Sequence, residues 1–156
     1  MVTLIGMGSG SWEALSVQAQ DAVRRAGLVF GAKRLLAGLP PECTARQFAL
    51  YQPAEILETL AQAPGQDAAV LYSGDTGFYS GASGLLTPLR ALGIPARVYP
   101  GVSSIQLLAA ALGRPWQDWK LASAHRCACD PVAECMPERS VFFLTGGAET
   151  PATLCR

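Results

Sequence analysis

Three short runs of small residues carry the chemistry this chain can do: Gly6-Met7-Gly8-Ser9-Gly10, Ser73-Gly74-Asp75-Thr76-Gly77 and Pro100-Gly101-Val102-Ser103-Ser104. Each follows an expected strand: the apolar runs Val2–Ile5 and Ala68–Tyr72, and Ala96–Tyr99. Glycine lets a ligand reach backbone N–H and C=O groups without side-chain obstruction. In a parallel sheet all three loops would lie along the carboxyl edge, where open α/β sheets bind ligands. Taken singly, each loop reads equally well as a tight strand-to-helix turn. A dinucleotide site fails its own test. Gly6 and Gly8 match the first two glycines of GxGxxG, but the third position is Ser11, and Leu28–Ala32 offers no acidic residue for a ribose. No Gly-Lys-Ser/Thr follows any of these glycines, so a Walker A loop is absent.

Other residue types add narrower options. His125 is the only imidazole. It orients substrate or accepts a proton, or else serves as a loop or domain-contact histidine. Cys127, Cys129 and Cys135 lie near it, but Cys-x-Cys spacing suits tetrahedral zinc poorly, and no metal is expected. Five cysteines without regular spacing read as reduced thiols rather than a disulfide framework. Lys33 and Arg34 open a short helix, where the dipole does not favour cations. They are either a solvated pair or partners for carboxylates. Asp75 either forms an Asx-type turn between glycines or places its charge near a cationic group. Phe78 and Tyr79 either line a pocket or pack in the core.

The elements that must position these residues alternate. Strands are expected at Val2–Ile5, Leu28–Phe30, Ala68–Tyr72, Ala96–Tyr99, Lys120–Ser123 and Val141–Leu144. Helices are expected at Ser16–Ala26, Ala32–Gly38, Ala54–Ala63, Gly81–Leu92 with Pro88 bending or interrupting it, Ile105–Leu112, and from Pro151. The pattern implies an α/β fold with a mainly parallel sheet. We expect an N-terminal α/β domain over 1–113. Residues 114–156 would be a linker and the first part of a second α/β domain, incomplete because the chain stops as a helix begins.

The chain has 156 residues, half of them hydrophobic, and 12 Lys and Arg balance 12 Asp and Glu. That neutrality leaves no broad footprint for nucleic acid. No segment has the apolar length of a membrane span, and Met1–Gly6 lacks a signal-peptide pattern. A cytoplasmic location is expected.

Four segments in order, Gly6–Gly10, Gly31-Ala32-Lys33-Arg34-Leu35-Leu36, Ser73–Ser80 and Pro100–Gln106, together resemble the S-adenosylmethionine-dependent tetrapyrrole methylases. Pro115-Trp116 and Ser123-Ala124-His125-Arg126 extend the resemblance. Gly31–Leu36 and Ser123–Arg126 favour the subgroup that methylates ring carbon 5 of precorrin-6Y or cobalt-precorrin-7 in cobalamin biosynthesis. The chain departs from the family pattern at Ser9 and Thr76, where proline is usual, and at His125-Arg126, where the family has His-Gly-Arg.

The resemblance implies that S-adenosylmethionine is met by Gly74, Asp75 and Thr76, by Ser103 and Ser104, and near Leu144 and Thr145. It places Gly8, Ser9 and Gly10 on the tetrapyrrole side, with Lys33, Arg34, Tyr79 and His125 as further substrate-binding candidates. It also implies a homodimer, a separate decarboxylating partner and a fuller second domain. The alternatives are methylation at another ring carbon, a same-fold diphthine or ribosomal RNA methyltransferase, or a non-catalytic donor-binding domain.

Overall fold

A computed structural model describes residues 1–125, 129–135, 139–146 and 150–154. In chain order the elements are β1 (Val2–Gly6), a 3-10 turn (Trp12–Ala14), α1 (Val17–Arg25), β2 (Leu28–Phe30), α2 (Lys33–Leu36), β3 (Arg46–Phe48), α3 (Pro53–Ala61), β4 (Ala68–Tyr72), α4 (Ala82–Ala91), β5 (Ala96–Tyr99), α5 (Ser104–Leu112), β6 (Lys120–Ser123), α6 (Pro131–Glu134), β7 (Val141–Leu144) and α7 (Pro151–Leu154). They form two compact units, Met1–Ser103 and Ser104–Arg156.

In the first unit five strands lie in the order β3-β2-β4-β1-β5, and every pairing is parallel. The α/β class and parallel sheet expected from the sequence are present. Successive side chains of a strand point to opposite faces, and the core divides accordingly. Val2, Leu4, Leu28, Phe30, Ala68 and Val70 face Ile56 of α3 and Ala82, Leu85 and Leu89 of α4. Ile5, Val29, Ala69 and Leu71 face Ala19 and Val23 of α1 and Leu35 of α2. A sheet covered on both faces explains why β1 and β4 are continuous apolar runs rather than alternating ones. Leu4, Ile5, Leu28, Ile56, Leu85 and Leu89 are wholly buried, each contributing about 1.5–3 kcal/mol of transfer free energy.

Local signals hold the helix ends. Ser16 caps α1 by accepting from the Ala19 N–H at 3.2 Å, and Pro53 stands in the first turn of α3, where its missing N–H costs nothing. Several elements differ from expectation, among them the 3-10 turn Trp12–Ala14 and α6, neither of which was expected. β3 was not expected, because Arg46-Gln47-Phe48 is a three-residue edge strand with an exposed pattern and too short to show alternation. α2 closes at Leu36 instead of reaching Gly38. α4 runs continuously through Pro88, so the proline does not interrupt it.

In the second unit β6 and β7 form a two-stranded parallel sheet in the register Lys120↔Val141 to Ser123↔Leu144. Asp130 caps α6 by accepting from the Val132 and Ala133 N–H groups. Among the described residues no helix is long and apolar enough to cross a membrane.

Candidate functional site

Sheet order decides which loops meet. β1 lies between β4 and β5, so the loops after these strands are neighbours. The chain leaves β1 toward α1 on one face and leaves β4 toward α4 on the other. Adjacent strands whose connections part in this way form a topological switch point, the usual ligand crevice of such sheets. Here that crevice is spanned by main chain. Gly8 donates to the Gly74 carbonyl at 3.0 Å and Gly74 donates to the Gly8 carbonyl at 2.9 Å. One step nearer the sheet, the Met7 N–H donates to the Tyr72 carbonyl at 2.8 Å.

Beside this bridge the third loop passes at backbone contact. A Cβ on Gly6 would lie 2.5 Å from the Gly101 nitrogen and 2.8 Å from the Gly74 oxygen. A Cβ on Gly101 would run into the Gly74 carbonyl oxygen and lie 2.5 Å from that of Gly6. Only glycine fits at either position. Ser103 follows, buried, with its Cα 4.0 Å from where a Cβ of Gly74 would stand.

Asp75 fastens the crossing. One carboxylate oxygen accepts from the Gly77 N–H at 2.8 Å and the other from the Gly101 N–H at 3.1 Å. The first bond is the Asx-type turn that the sequence allowed. The second ties the loop after β4 to the loop after β5, which sequence reasoning missed. Thr76 adds a weaker tie, its hydroxyl donating to the Tyr99 carbonyl at 3.4 Å. With these groups engaged, the N–H groups of Asp75, Thr76 and Val102 have no hydrogen-bond partner among the described residues. Tyr72, at the end of β4, has its pKa raised from 10.0 to about 12 by burial, so its hydroxyl stays neutral at ordinary pH.

Of the substrate-side candidates, Gly8 lies in the crossing itself, Tyr79 follows in the loop after β4, and Ser9, Gly10, Lys33 and Arg34 lie toward α2. Gly10 closes a turn by donating to the Met7 carbonyl at 2.8 Å. Ser9 is exposed, its hydroxyl 3.4 Å from that of Ser11. Arg34 reaches from α2 across this turn. Its Nη2 donates to the Ser73 hydroxyl, and its Nη1 lies 3.5 Å from where a Cβ of Gly10 would be. Lys33 is exposed, with no side-chain partner among the described residues. Tyr79 is 52% exposed and holds a left-handed backbone, φ 48°, a strained conformation for a bulky residue. Its ring meets Phe78 edge-on, centroids 5.0 Å apart.

The remaining candidates fall in the second unit. Ser104 is the first residue of α5. Leu144 ends β7, and its carbonyl accepts from the Ala124 N–H at 2.9 Å, which brings Thr145 beside His125. The His125 N–H donates to the Ser123 hydroxyl at 3.3 Å, and a Cβ on Gly146 would run into the imidazole. His125, Leu144 and Thr145 thus gather at the carboxyl ends of β6 and β7. Arg126 and Cys127 lie outside the described residues. Among the described residues no three His, Cys, Asp or Glu side chains converge as a metal site would need.

The chain is similar to known proteins over most of its length. The family described as Tetrapyrrole (Corrin/Porphyrin) Methylases matches residues 1–150. The cobalt-precorrin-7 C(5)-methyltransferase of Salmonella typhimurium is 30% identical over 158 residues, covering 100% of this chain and 76% of that protein. The crystal structure of the methyltransferase CobJ superposes with a TM-score of 0.69 at 24% identity, covering 85% of this chain and 59% of that one. The uroporphyrin-III C-methyltransferase of Thermus thermophilus, complexed with S-adenosylhomocysteine, gives a TM-score of 0.63 at 24% identity, covering 80% and 55%. The chain thus spans three quarters of the length of the curated relative but less than two thirds of the two solved chains.

Proposed function

The chain belongs to the tetrapyrrole (corrin/porphyrin) methylase family of S-adenosylmethionine-dependent methyltransferases, with relatives in cobalamin biosynthesis, and from that premise we propose that it methylates ring carbon 5 of precorrin-6Y or cobalt-precorrin-7. The choice of carbon 5 rests on 30% identity along the whole of this chain to a C(5)-methyltransferase, 76% of which is covered. The observation that carries the chemistry is the crossing of the loops after β1, β4 and β5, fixed by Gly6, Gly101 and both oxygens of Asp75.

The residues at the crossing suit the donor, which supplies a methyl group on a sulfonium sulfur. The unengaged N–H groups of Asp75, Thr76 and Val102 are of the kind that hold an amino-acid carboxylate or a ribose oxygen. Gly74 and Ser103 add a wall without bulk. Ser104, Leu144 and Thr145 complete the proposed donor contacts. Asp75 acts through the loops it ties, since its oxygens already accept from Gly77 and Gly101. On the acceptor side we place Gly8, Ser9, Gly10, Lys33, Arg34, Tyr79 and His125. Methyl transfer to a nucleophilic ring carbon needs alignment and exclusion of water more than covalent help, and a cradle of backbone groups provides that. A domain division at 113/114, which keeps α5 in the first domain although the compact units part at 103/104, a homodimer, a separate decarboxylating partner and a cytoplasmic location complete the proposal.

Binding of labelled S-adenosylmethionine, followed by turnover with a precorrin-type substrate, tests this reading. Donor binding and a singly methylated product at carbon 5 are expected. Binding without transfer to any tetrapyrrole would replace an enzyme with a donor-binding domain, and failure to bind the donor would overturn the proposal.

A further inference from the structure

Resting on the tetrapyrrole-methylase reading of this site, we propose that Arg34 and Ser73 form a two-residue clasp for one peripheral carboxylate of the macrocycle. The argument starts from the guanidinium, which offers five N–H donors in a planar fork. Arg34 gives one to the Ser73 hydroxyl and has no carboxylate partner among the described residues. Because Ser73 accepts from Arg34, its own hydroxyl hydrogen is free to point outward. A carboxylate arriving there meets two donors of different origin, one from α2 and one from the end of β4, and each of its oxygens takes one. Gly10 borders Nη1 without a side chain; a Cβ there would stand at ordinary contact distance, 3.5 Å. Ser73 therefore both positions the guanidinium and contributes a donor. Lys33, adjacent in sequence, is exposed and has no side-chain partner among the described residues, so only Arg34 of the two cations is positioned by a neighbour.

Dicyanocobyrinic acid and dicyanocobinamide share a corrin ring but carry peripheral acids and amides respectively, and they serve as probes. Wild-type protein binds the acid more tightly than the amide. Arg34→Gln lowers affinity for the acid roughly tenfold or more, as expected for loss of a charge-assisted bond, and leaves amide binding unchanged. Ser73→Ala lowers acid affinity about threefold, on the scale of a neutral hydrogen bond, and Ser73→Thr restores it. Arg90→Ala, a cation removed from α4, binds as wild type. S-adenosylhomocysteine affinity, measured in each variant, separates the claims. Wild type that fails to bind it counts against the family-based site. Normal S-adenosylhomocysteine binding together with an unchanged acid-to-amide ratio in Arg34→Gln overturns the clasp alone, as does a wild type that binds neither corrinoid.

Discussion

The two ends of one sheet edge are built differently. At the β1–β4–β5 end backbone meets backbone: Gly6 against Gly101, Gly8 paired with Gly74, and Asp75 accepting from two N–H groups. At the β2–α2 end side chains do the work: Arg34 reaches over Gly10 to Ser73. The first end has no freedom, because any side chain at Gly6 or Gly101 displaces main chain. The second end can be altered one group at a time without disturbing the sheet. A methyl donor common to a whole family suits the rigid end, and a substrate that varies among family members suits the adjustable one.

Substitutions sharpen or break this contrast. Gly101→Ala should have the largest effect. Its Cβ meets two carbonyl oxygens that cannot turn aside, a cost of roughly 3 kcal/mol or more, and S-adenosylhomocysteine binding should disappear with it. Thermal denaturation checks the first point; a melting temperature equal to wild type would mean the loops can part.

Asp75→Ala comes next. It leaves the Gly77 and Gly101 N–H groups without their acceptor and should cost about 1–3 kcal/mol in urea denaturation. Asp75→Asn keeps one acceptor oxygen and should fall between. If the two substitutions are equally mild, the brace is not what holds the crossing.

At the adjustable end, Arg34→Gln and Ser73→Ala should change stability by no more than about 0.5 kcal/mol, while changing selection between acid and amide corrinoids. A large loss of stability in either would erase the distinction between the two ends.

The smallest effect concerns pH. Burial lifts the Tyr72 pKa from 10.0 to about 12, so folding favours the neutral phenol. That contribution is complete below pH 10 and is lost as pH rises through 10 toward 12. Stability measured from pH 9 to 12 should decline less steeply in Tyr72→Phe than in wild type. Parallel curves would assign the alkaline loss to other groups.

Much of this is legible in the sequence, for reasons tied to particular residues. Strands β1, β2 and β4 announce themselves because burial on both faces demands apolar runs, whereas β5 is a half-exposed edge strand carrying Arg97 and is marked by the Pro100-Gly101 that ends it. Arg46–Phe48 is silent because a short exposed edge strand needs no apolar pattern. Pro88 suggests a break, yet α4 continues through it with Leu85 and Leu89 anchored in the core. The fit of Gly6 against Gly101 spans nearly the whole first unit and depends on sheet order, which local spacing does not encode. The same holds for the second bond of Asp75. The Arg34–Ser73 pair joins residues 39 apart in sequence, and only the adjacency of β2 and β4 in the sheet makes it visible.

Amide NMR of the labelled chain during titration with S-adenosylhomocysteine tests the donor site most directly. The account predicts saturable shifts at Asp75, Thr76 and Val102, whose N–H groups are unengaged, with little change at Ala63–Gln66, beyond the amino ends of the strands. An absence of shifts at those three amides, or shifts confined to Ala63–Gln66, would contradict it.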